Sequence, residues 1–162
     1  MFSVAELRLH ELSEHVVLGY LAIWTLYLLT YRRLDSLILS ISISIFASLL
    51  MFYLTPYFLS IAKGDGLERK AVWYFGFSAV NLLAIVGISK IHELLKLKVE
   101  KLSLVIGGCF FISTVIQVSR FLELLITETD HLSWIYTNGI QFVNLMLLIT
   151  FVLCMFRGRN LN

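Results

Sequence analysis

This chain has little charge, and that scarcity limits what it can be. Charged residues make up 15% of its 162 residues, whereas hydrophobic residues make up 59%. Water-soluble domains usually have about 25% charged and 45–50% apolar residues, so this composition is not typical of them. The formal net charge is only +2, and the basic residues are not gathered on one soluble face. The sequence therefore argues against a basic nucleic-acid-binding face, and we expect no nucleic-acid partner.

The sequence also lacks the motifs of common catalytic and cofactor sites. It contains no glycine-rich phosphate loop, no HExxH motif and no recognisable pairing of a nucleophile with a base. The histidines do not have zinc-site spacing, and His15 and His92 fall at opposite ends of the predicted bundle, where they cannot share a haem. Cys109 and Cys154 both fall in apolar runs, which predicts small core residues instead of a disulfide. We therefore predict no enzyme activity, no catalytic residue, no metal and no cofactor.

Five long apolar runs occupy most of the chain. They cover residues 16–31, 37–61, 71–89, 103–126 and 134–156. A bilayer core is about 30 Å thick, and a helix of about 20 apolar residues crosses it. The sequence therefore predicts an all-α, polytopic transmembrane bundle of about five membrane-spanning helices, forming one integral membrane domain over 1–162. The first run is the shortest, so an interfacial helix that leaves four spans is the alternative there.

The segments between the runs are short and polar. Residues 1–14 carry three acidic residues and one arginine, unlike the basic start of a signal peptide, so we predict an outer polar segment that is not cleaved. The glycines of Lys63–Gly66 predict a turn. Residues 90–102 contain no Gly or Pro and have apolar residues at helical spacing, which predicts a cytoplasmic helical extension of the third span. An interfacial helix on anionic lipid is the alternative, because four lysines cluster there.

Loop charges predict how the chain is threaded. With the N-terminus outside, eight of the 13 Lys and Arg residues fall on the inner side and five on the outer side, as the positive-inside rule prefers. Tyr57, Trp73 and Trp134 then fall at outer ends of spans, where aromatic residues favour the membrane–water interface. We predict a multi-pass protein of the plasma (inner) membrane, in contact with membrane lipid, with the N-terminus outside and the C-terminus cytoplasmic.

Polar residues enter the apolar runs mainly as stripes on one helical face. Unpaired polar groups are costly in lipid, so such residues usually face other helices or water. We predict that they form either a helix-packing face or the lining of a polar path, with the third, fourth and fifth spans facing one another. They are Ser40, Ser44 and Ser48 in the second run, Asn81 in the third, Gln117, Arg120 and Glu123 in the fourth, and Asn138, Gln141 and Asn144 in the fifth.

Two classes of function fit these features. The first is a non-enzymatic multi-pass membrane protein that acts as an oligomeric or accessory subunit of a membrane assembly, bound to copies of itself or to other membrane subunits. The alternative is a small oligomeric ion channel or transporter with a polar, helix-lined path, a class that includes membrane-permeabilising effectors. Flux measurements across liposomes distinguish the two classes.

Overall fold

The computed structural model describes residues 4–31, 35–62, 66–127 and 131–159. It contains five helices, which are α1 (Val4–Tyr31), α2 (Ser36–Ala62), α3 (Leu67–Leu94), α4 (Lys101–Ile126) and α5 (Ser133–Arg159). In α2, α3, α4 and α5 the described residues are long and apolar enough to cross a membrane, whereas the apolar part of α1, His15–Tyr31, is shorter. The all-α fold predicted from the apolar runs is confirmed.

Two helix boundaries differ from those predicted. Helix α1 begins at Val4, so the backbone of most of the predicted polar segment 1–14 is helical. Helix α3 ends at Leu94 and α4 begins at Lys101, so the prediction of a helix over 90–102 is wrong for residues 95–100. Of the predicted turn Lys63–Gly66, only Gly66 is among the described residues, and its φ is 126°.

The early end of α3 has a specific backbone cause. Lys96 adopts a left-handed conformation with a φ of 52°, and its N–H bonds to the carbonyl of Glu93 at 3.1 Å. The N–H of Leu97 then bonds to the carbonyl of His92 at 2.9 Å. These two bonds form a Schellman motif, the common helix ending that usually places glycine at the left-handed position. Because lysine occupies that position here, the sequence lacks the usual signal for the end of the helix.

The five helices form a closed ring in chain order. Each helix packs against the next, α1 also packs against α5, and α2 contacts α4 across the interior. As predicted, α4 lies between α3 and α5. Short connections make neighbouring helices antiparallel. We call the side with the α2–α3 and α4–α5 connections the Gly66 end, and the side with the α1–α2 and α3–α4 connections the Lys96 end.

The outward surface of the ring is apolar along the middle of the helices. Phe46, Leu83, Phe111 and Phe142 lie near helix centres and are all exposed. Exposed apolar surface on this scale is unfavourable in water and favourable in lipid. Several polar side chains, by contrast, are buried inside the ring. The protein is therefore a membrane-embedded helical bundle.

The interior is filled differently toward its two ends. Toward the Lys96 end, Ile41, Ile106 and Phe151 are completely buried and belong to one apolar cluster, which we call the apolar plug. Toward the Gly66 end lies a separate cluster that is mainly aromatic and includes Trp73 and Tyr136. The plug and the aromatic cluster bound the region in which the candidate site lies.

Candidate functional site

A cavity of about 130 Å³ lies inside the ring, in the half nearer the Gly66 end, and residues from all five helices line it. An engineered apolar cavity of about 150 Å³ in another protein admits benzene, so this one has room for a small ring or for several waters. Its polar lining residues are Ser48, Thr55, Asn81, Ser113, Gln117 and Asn144. Its aromatic lining residues are Tyr20, Phe52, Trp73, Phe77, Phe110 and Tyr136.

Two carboxamides in the lining have atoms without a hydrogen-bond partner among the described residues. Asn81 is 2% exposed and Gln117 is 5% exposed. The Nδ2 atom of Asn81 and the Oε1 atom of Gln117 make no hydrogen bond within the described part of the protein. Leaving a buried polar group unsatisfied costs about 1–3 kcal/mol. The cavity therefore contains hydrogen-bonding capacity that the described side chains and backbone do not use.

Two hydroxyls of the lining are satisfied within the bundle. The Tyr20 hydroxyl donates to the backbone carbonyl of Asn144 at 3.0 Å, which ties α1 to α5. The Thr55 hydroxyl donates to the carbonyl of Met51 at 2.7 Å, one turn earlier in the same helix. These bonds direct the two hydroxyls toward backbone acceptors and leave the carboxamides of Asn81 and Gln117 as the unsatisfied groups.

Aromatic contacts fix the two ends of the cavity. The Trp73 indole N–H donates to the Tyr136 hydroxyl at 2.9 Å, joining α3 to α5 near the Gly66 end. Trp73 also packs edge-on against Phe77, with ring centroids 4.9 Å apart. On the opposite side, Tyr20 packs edge-on against Phe151 of the apolar plug, also at 4.9 Å. Since aromatic rings have few rotatable bonds, they give the cavity a defined shape.

An ion pair lies between the cavity and the Gly66 end but not in the lining. Arg120 and Glu123 form a bond of 2.5 Å between side chains that are 5% and 7% exposed. The Glu123 carboxylate also accepts the backbone N–H of Leu132, at 2.9 and 3.1 Å from its two oxygens. This arrangement connects the end of α4 to the start of α5. All described side chains that do line the cavity are uncharged.

Four of the residues singled out in the sequence meet at the cavity. Ser48, Asn81, Gln117 and Asn144 line it from α2, α3, α4 and α5. Arg120 lies one turn beyond Gln117 and is paired with Glu123 at i+3. The structure thus assembles one polar site from four of the apolar runs.

The remaining candidates lie elsewhere. Ser40 and Ser44 are completely buried, and each donates to the carbonyl four residues earlier, at 2.9 and 2.8 Å. Asn138 is exposed and its Nδ2 donates to the carbonyl of Trp134 at 2.8 Å. Gln141 is partly buried and outside the lining. Steps of three residues turn a helix by about 300°, so the three carboxamides of α5 spread around it and only Asn144 reaches the cavity.

Sequence reasoning missed the aromatic side of the site. Tyr20 lies in an apolar run, and Trp73 was interpreted as an interface anchor. Tyr20 carries one usable signal, because a tyrosine hydroxyl within such a run needs an acceptor. Trp24 behaves similarly, and its indole N–H donates to Ser42 on α2 at 2.8 Å.

A second polar cluster lies at the Lys96 end. The Ser36 hydroxyl lies 2.7 Å from Nε2 of His92 and 2.9 Å from the Ser103 hydroxyl, and we call these three residues the latch. His92 Nδ1 lies 2.6 Å from the carbonyl of Ile88, which can only accept, so Nδ1 carries the proton and Nε2 accepts from Ser36. All three side chains are buried, so the latch fastens α2, α3 and α4 together.

No group of three or more His, Cys, Asp or Glu side chains that could hold a metal comes together among residues whose side chains are described. Cys109 is buried and is not in a disulfide, whereas the side chain of Cys154 lies outside the described set. Comparison of this chain with protein-family models, with curated proteins and with solved structures finds no match. Function is therefore inferred from the geometry of the bundle.

Proposed function

We propose that this protein is a non-enzymatic, multi-pass membrane protein that binds a small molecule inside its own helical bundle. The observation that carries the proposal is the cavity of about 130 Å³ with the unpartnered carboxamide atoms of Asn81 and Gln117 in its lining. Most buried polar groups in proteins have a hydrogen-bond partner, and a bound molecule would supply one to each of these. A site that collects residues from all five helices in this way is typical of ligand sites in helical bundles.

The packing between the cavity and the Lys96 end favours binding over conduction. Ile41, Ile106 and Phe151 are fully buried there, and the latch lies beyond them. An ion crossing this layer would lose its water and would meet, besides these apolar side chains, serine hydroxyls that already donate to backbone carbonyls, which is unfavourable. We expect purified protein in liposomes to give no ion flux above that of protein-free liposomes. A conductance that Arg120→Ala alters would instead favour the channel alternative.

The buried state of the latch supports a non-enzymatic role. Ser36 and His92 have the spacing of a nucleophile and its base, but both are almost fully buried. A catalytic serine must touch its substrate, and the cavity lies on the other side of the apolar plug. We therefore propose a structural role for this pair.

We further propose that the protein lies in the plasma (inner) membrane with the Gly66 end outside. Lys96, Lys98 and Lys101 are exposed at the Lys96 end, which the positive-inside rule favours on the cytoplasmic side. The test is labelling of Glu68→Cys in a background without Cys109 and Cys154. Labelling by a membrane-impermeant reagent from outside is expected, and labelling from the cytoplasmic side alone would overturn this orientation.

The expected role as a subunit of a larger assembly belongs to the same proposal. A ligand-binding bundle with an apolar outer surface can act in a homo-oligomer or beside other membrane subunits. Native mass spectrometry of gently purified protein measures the copy number and identifies bound chains. A monomer that retains ligand binding would remove oligomerisation and partner subunits from the proposal while leaving the binding site in place.

The function itself is tested by filling the cavity. Toluene fits a cavity of this size, so it should raise the Tm of the detergent-purified protein by about 3–6 °C when present at about ten times its Kd. Ser113→Leu places a larger side chain in the lining and should abolish the rise. Thr114→Leu, one position along α4 and outside the lining, is the matched control and should retain it.

Two outcomes would contradict the proposal. One is that neither toluene nor a polar ring molecule of the same size raises the Tm of the wild-type protein. The other is an equal effect on wild type and on Ser113→Leu, since toluene would then act at another surface or through the detergent. If Ser113→Leu does not fold, Ser48→Leu fills the same cavity from α2 and replaces it in the comparison.

A further inference from the structure

We infer that the molecule bound in the cavity is uncharged, contains one planar ring and carries both a hydrogen-bond donor and an acceptor, as a lactam or an aromatic amide does. This inference rests on the proposed function and specifies its ligand class. Three independent features of the lining support it, namely its lack of charge, its unpartnered carboxamides and its aromatic residues.

The first feature excludes charged ligands. All described lining side chains are uncharged, and the nearby buried charges of Arg120 and Glu123 bond to each other. A charged ligand in this cavity would lose its hydration and would have no counter-charge in the lining. Burial of an unpaired charge is among the most unfavourable steps in protein energetics. The site therefore selects neutral molecules.

The second feature specifies the polar groups of the ligand. Asn81 and Gln117 each contribute a carboxamide, and an unsatisfied donor atom and an unsatisfied acceptor atom remain between them. A ligand with only an acceptor, or only a donor, would leave one of these atoms unpaired. A molecule with an N–H group and a carbonyl satisfies both, because the carbonyl accepts from Asn81 Nδ2 and the N–H donates to Gln117 Oε1.

The third feature specifies the body of the ligand. Trp73, Phe77 and Tyr136 line the Gly66 side of the cavity, and Tyr20 lines the side next to the apolar plug. Aromatic walls of this kind favour a flat ring that packs face-offset or edge-on. The volume of about 130 Å³ is close to that of a cavity that admits benzene, so the site has room for one ring.

A cluster of water molecules is the competing occupant. Waters would also satisfy the two carboxamides, and a polar cavity of this volume has room for several. The two occupants predict different responses to added ligand. If the cavity is built to hold ordered waters, neither toluene nor a lactam should displace them. If it is a ligand site, a ring molecule that fits its lining should displace them.

The experiment compares three ring molecules with equal numbers of heavy atoms. 2-Pyridone has an N–H donor and a carbonyl acceptor, toluene has neither, and N-methylpyridinium carries a positive charge. Kd values are measured for the purified full-length protein by equilibrium dialysis in detergent, with empty micelles as the blank. We expect 2-pyridone to bind at least about tenfold more tightly than toluene, and N-methylpyridinium to bind no more than it binds to empty micelles.

Variants then test the two carboxamides. Asn81→Leu and Gln117→Leu should each weaken 2-pyridone binding about tenfold and should leave toluene binding unchanged or stronger. Asn138→Leu is the matched control, because Asn138 is exposed and bonded within its own helix, and it should alter neither ligand. Where a leucine variant fails to fold, Asn81→Ser or Gln117→Met replaces it.

The outcomes separate the ligand class from the function. Tighter binding of toluene or N-methylpyridinium than of 2-pyridone would overturn the ligand class and leave the binding cavity standing. Equal losses of 2-pyridone and toluene binding in Asn81→Leu and Gln117→Leu would also overturn it, because the carboxamides would then not act through hydrogen bonds. Failure of all three molecules to bind would overturn both the ligand class and the proposed function.

Discussion

Two ion pairs among the described residues have the same sequence spacing and opposite environments. Arg120 and Glu123 pair at 2.5 Å with side chains 5% and 7% exposed, whereas Lys90 and Glu93 pair at 2.7 Å with side chains 66% and 69% exposed. Both are i,i+3 pairs within a helix. A comparison of Glu123→Ala with Glu93→Ala therefore measures what burial adds to an ion pair in this protein.

The expected difference is large. Removing one partner of a buried pair leaves an uncompensated charge and costs about 3–5 kcal/mol, whereas an exposed pair contributes about 0–1 kcal/mol. Glu123→Ala also removes the acceptor for the backbone N–H of Leu132, which adds about 1 kcal/mol. For a chain of this length, 1 kcal/mol corresponds to about 2–4 °C in Tm. Glu123→Ala should lower Tm by about 8–24 °C and Glu93→Ala by less than about 4 °C.

The assay is thermal unfolding in detergent. Its readout is the fraction of protein that remains monodisperse in size-exclusion chromatography after heating. A double variant, Arg120→Leu with Glu123→Leu, completes the comparison, because replacing both charges with apolar groups should recover much of the loss. Equal Tm changes for Glu123→Ala and Glu93→Ala would refute the reasoning. So would a double variant less stable than Glu123→Ala, since the cost would then not come from the buried charge of Arg120.

Three further predictions concern packing, the latch and the α3–α4 connection. A Cβ on Gly76 would lie 2.6 Å from Cε2 of Phe58, so Gly76→Ala should lower Tm. A Cβ on Gly107 would meet no neighbouring side chain within 4 Å, so Gly107→Ala should raise the unfolding free energy by about 0.5–1 kcal/mol. Equal effects of the two changes in thermal unfolding would contradict this. His92→Phe should lower the unfolding free energy by about 1–3 kcal/mol, and an unchanged Tm would exclude the latch as a stabilising contact. Lys96 has a left-handed backbone, so Lys96→Gly should raise Tm and Lys96→Val should lower it, and the reverse order would argue against that geometry.

The helices could be predicted from the sequence because each apolar run had to cover a bilayer. For α4 and α5 the predicted spans begin within two residues of the helix starts, and α4 ends at the predicted residue. The end of α3 could not be predicted in this way. There a Schellman motif places Lys96 in a conformation usually taken by glycine, and only the backbone bonds of Lys96 and Leu97 reveal it.

The candidate site was predictable only in part, because it depends on depth and rotation as well as on residue type. Asn81, Gln117 and Asn144 are conspicuous in apolar runs, and their polarity suggested that they face inward. Their meeting at one cavity depends on how far each helix is shifted and turned relative to its neighbours. Rotation along a single helix matters too, because the six residues from Asn138 to Asn144 turn α5 by about 600°, which leaves Asn138 outside the lining.

The most direct test of the central claim uses Trp73, which lines the cavity, as a reporter. In a variant with Trp24→Phe and Trp134→Phe, fluorescence comes from Trp73 alone. Acrylamide is a small, planar, uncharged carboxamide that quenches tryptophan. We predict that quenching of Trp73 saturates as the acrylamide concentration rises. Ser113→Leu should remove this saturable quenching, and iodide should not produce it. Quenching that rises without saturation and with the same slope in Ser113→Leu would contradict a binding cavity inside this bundle.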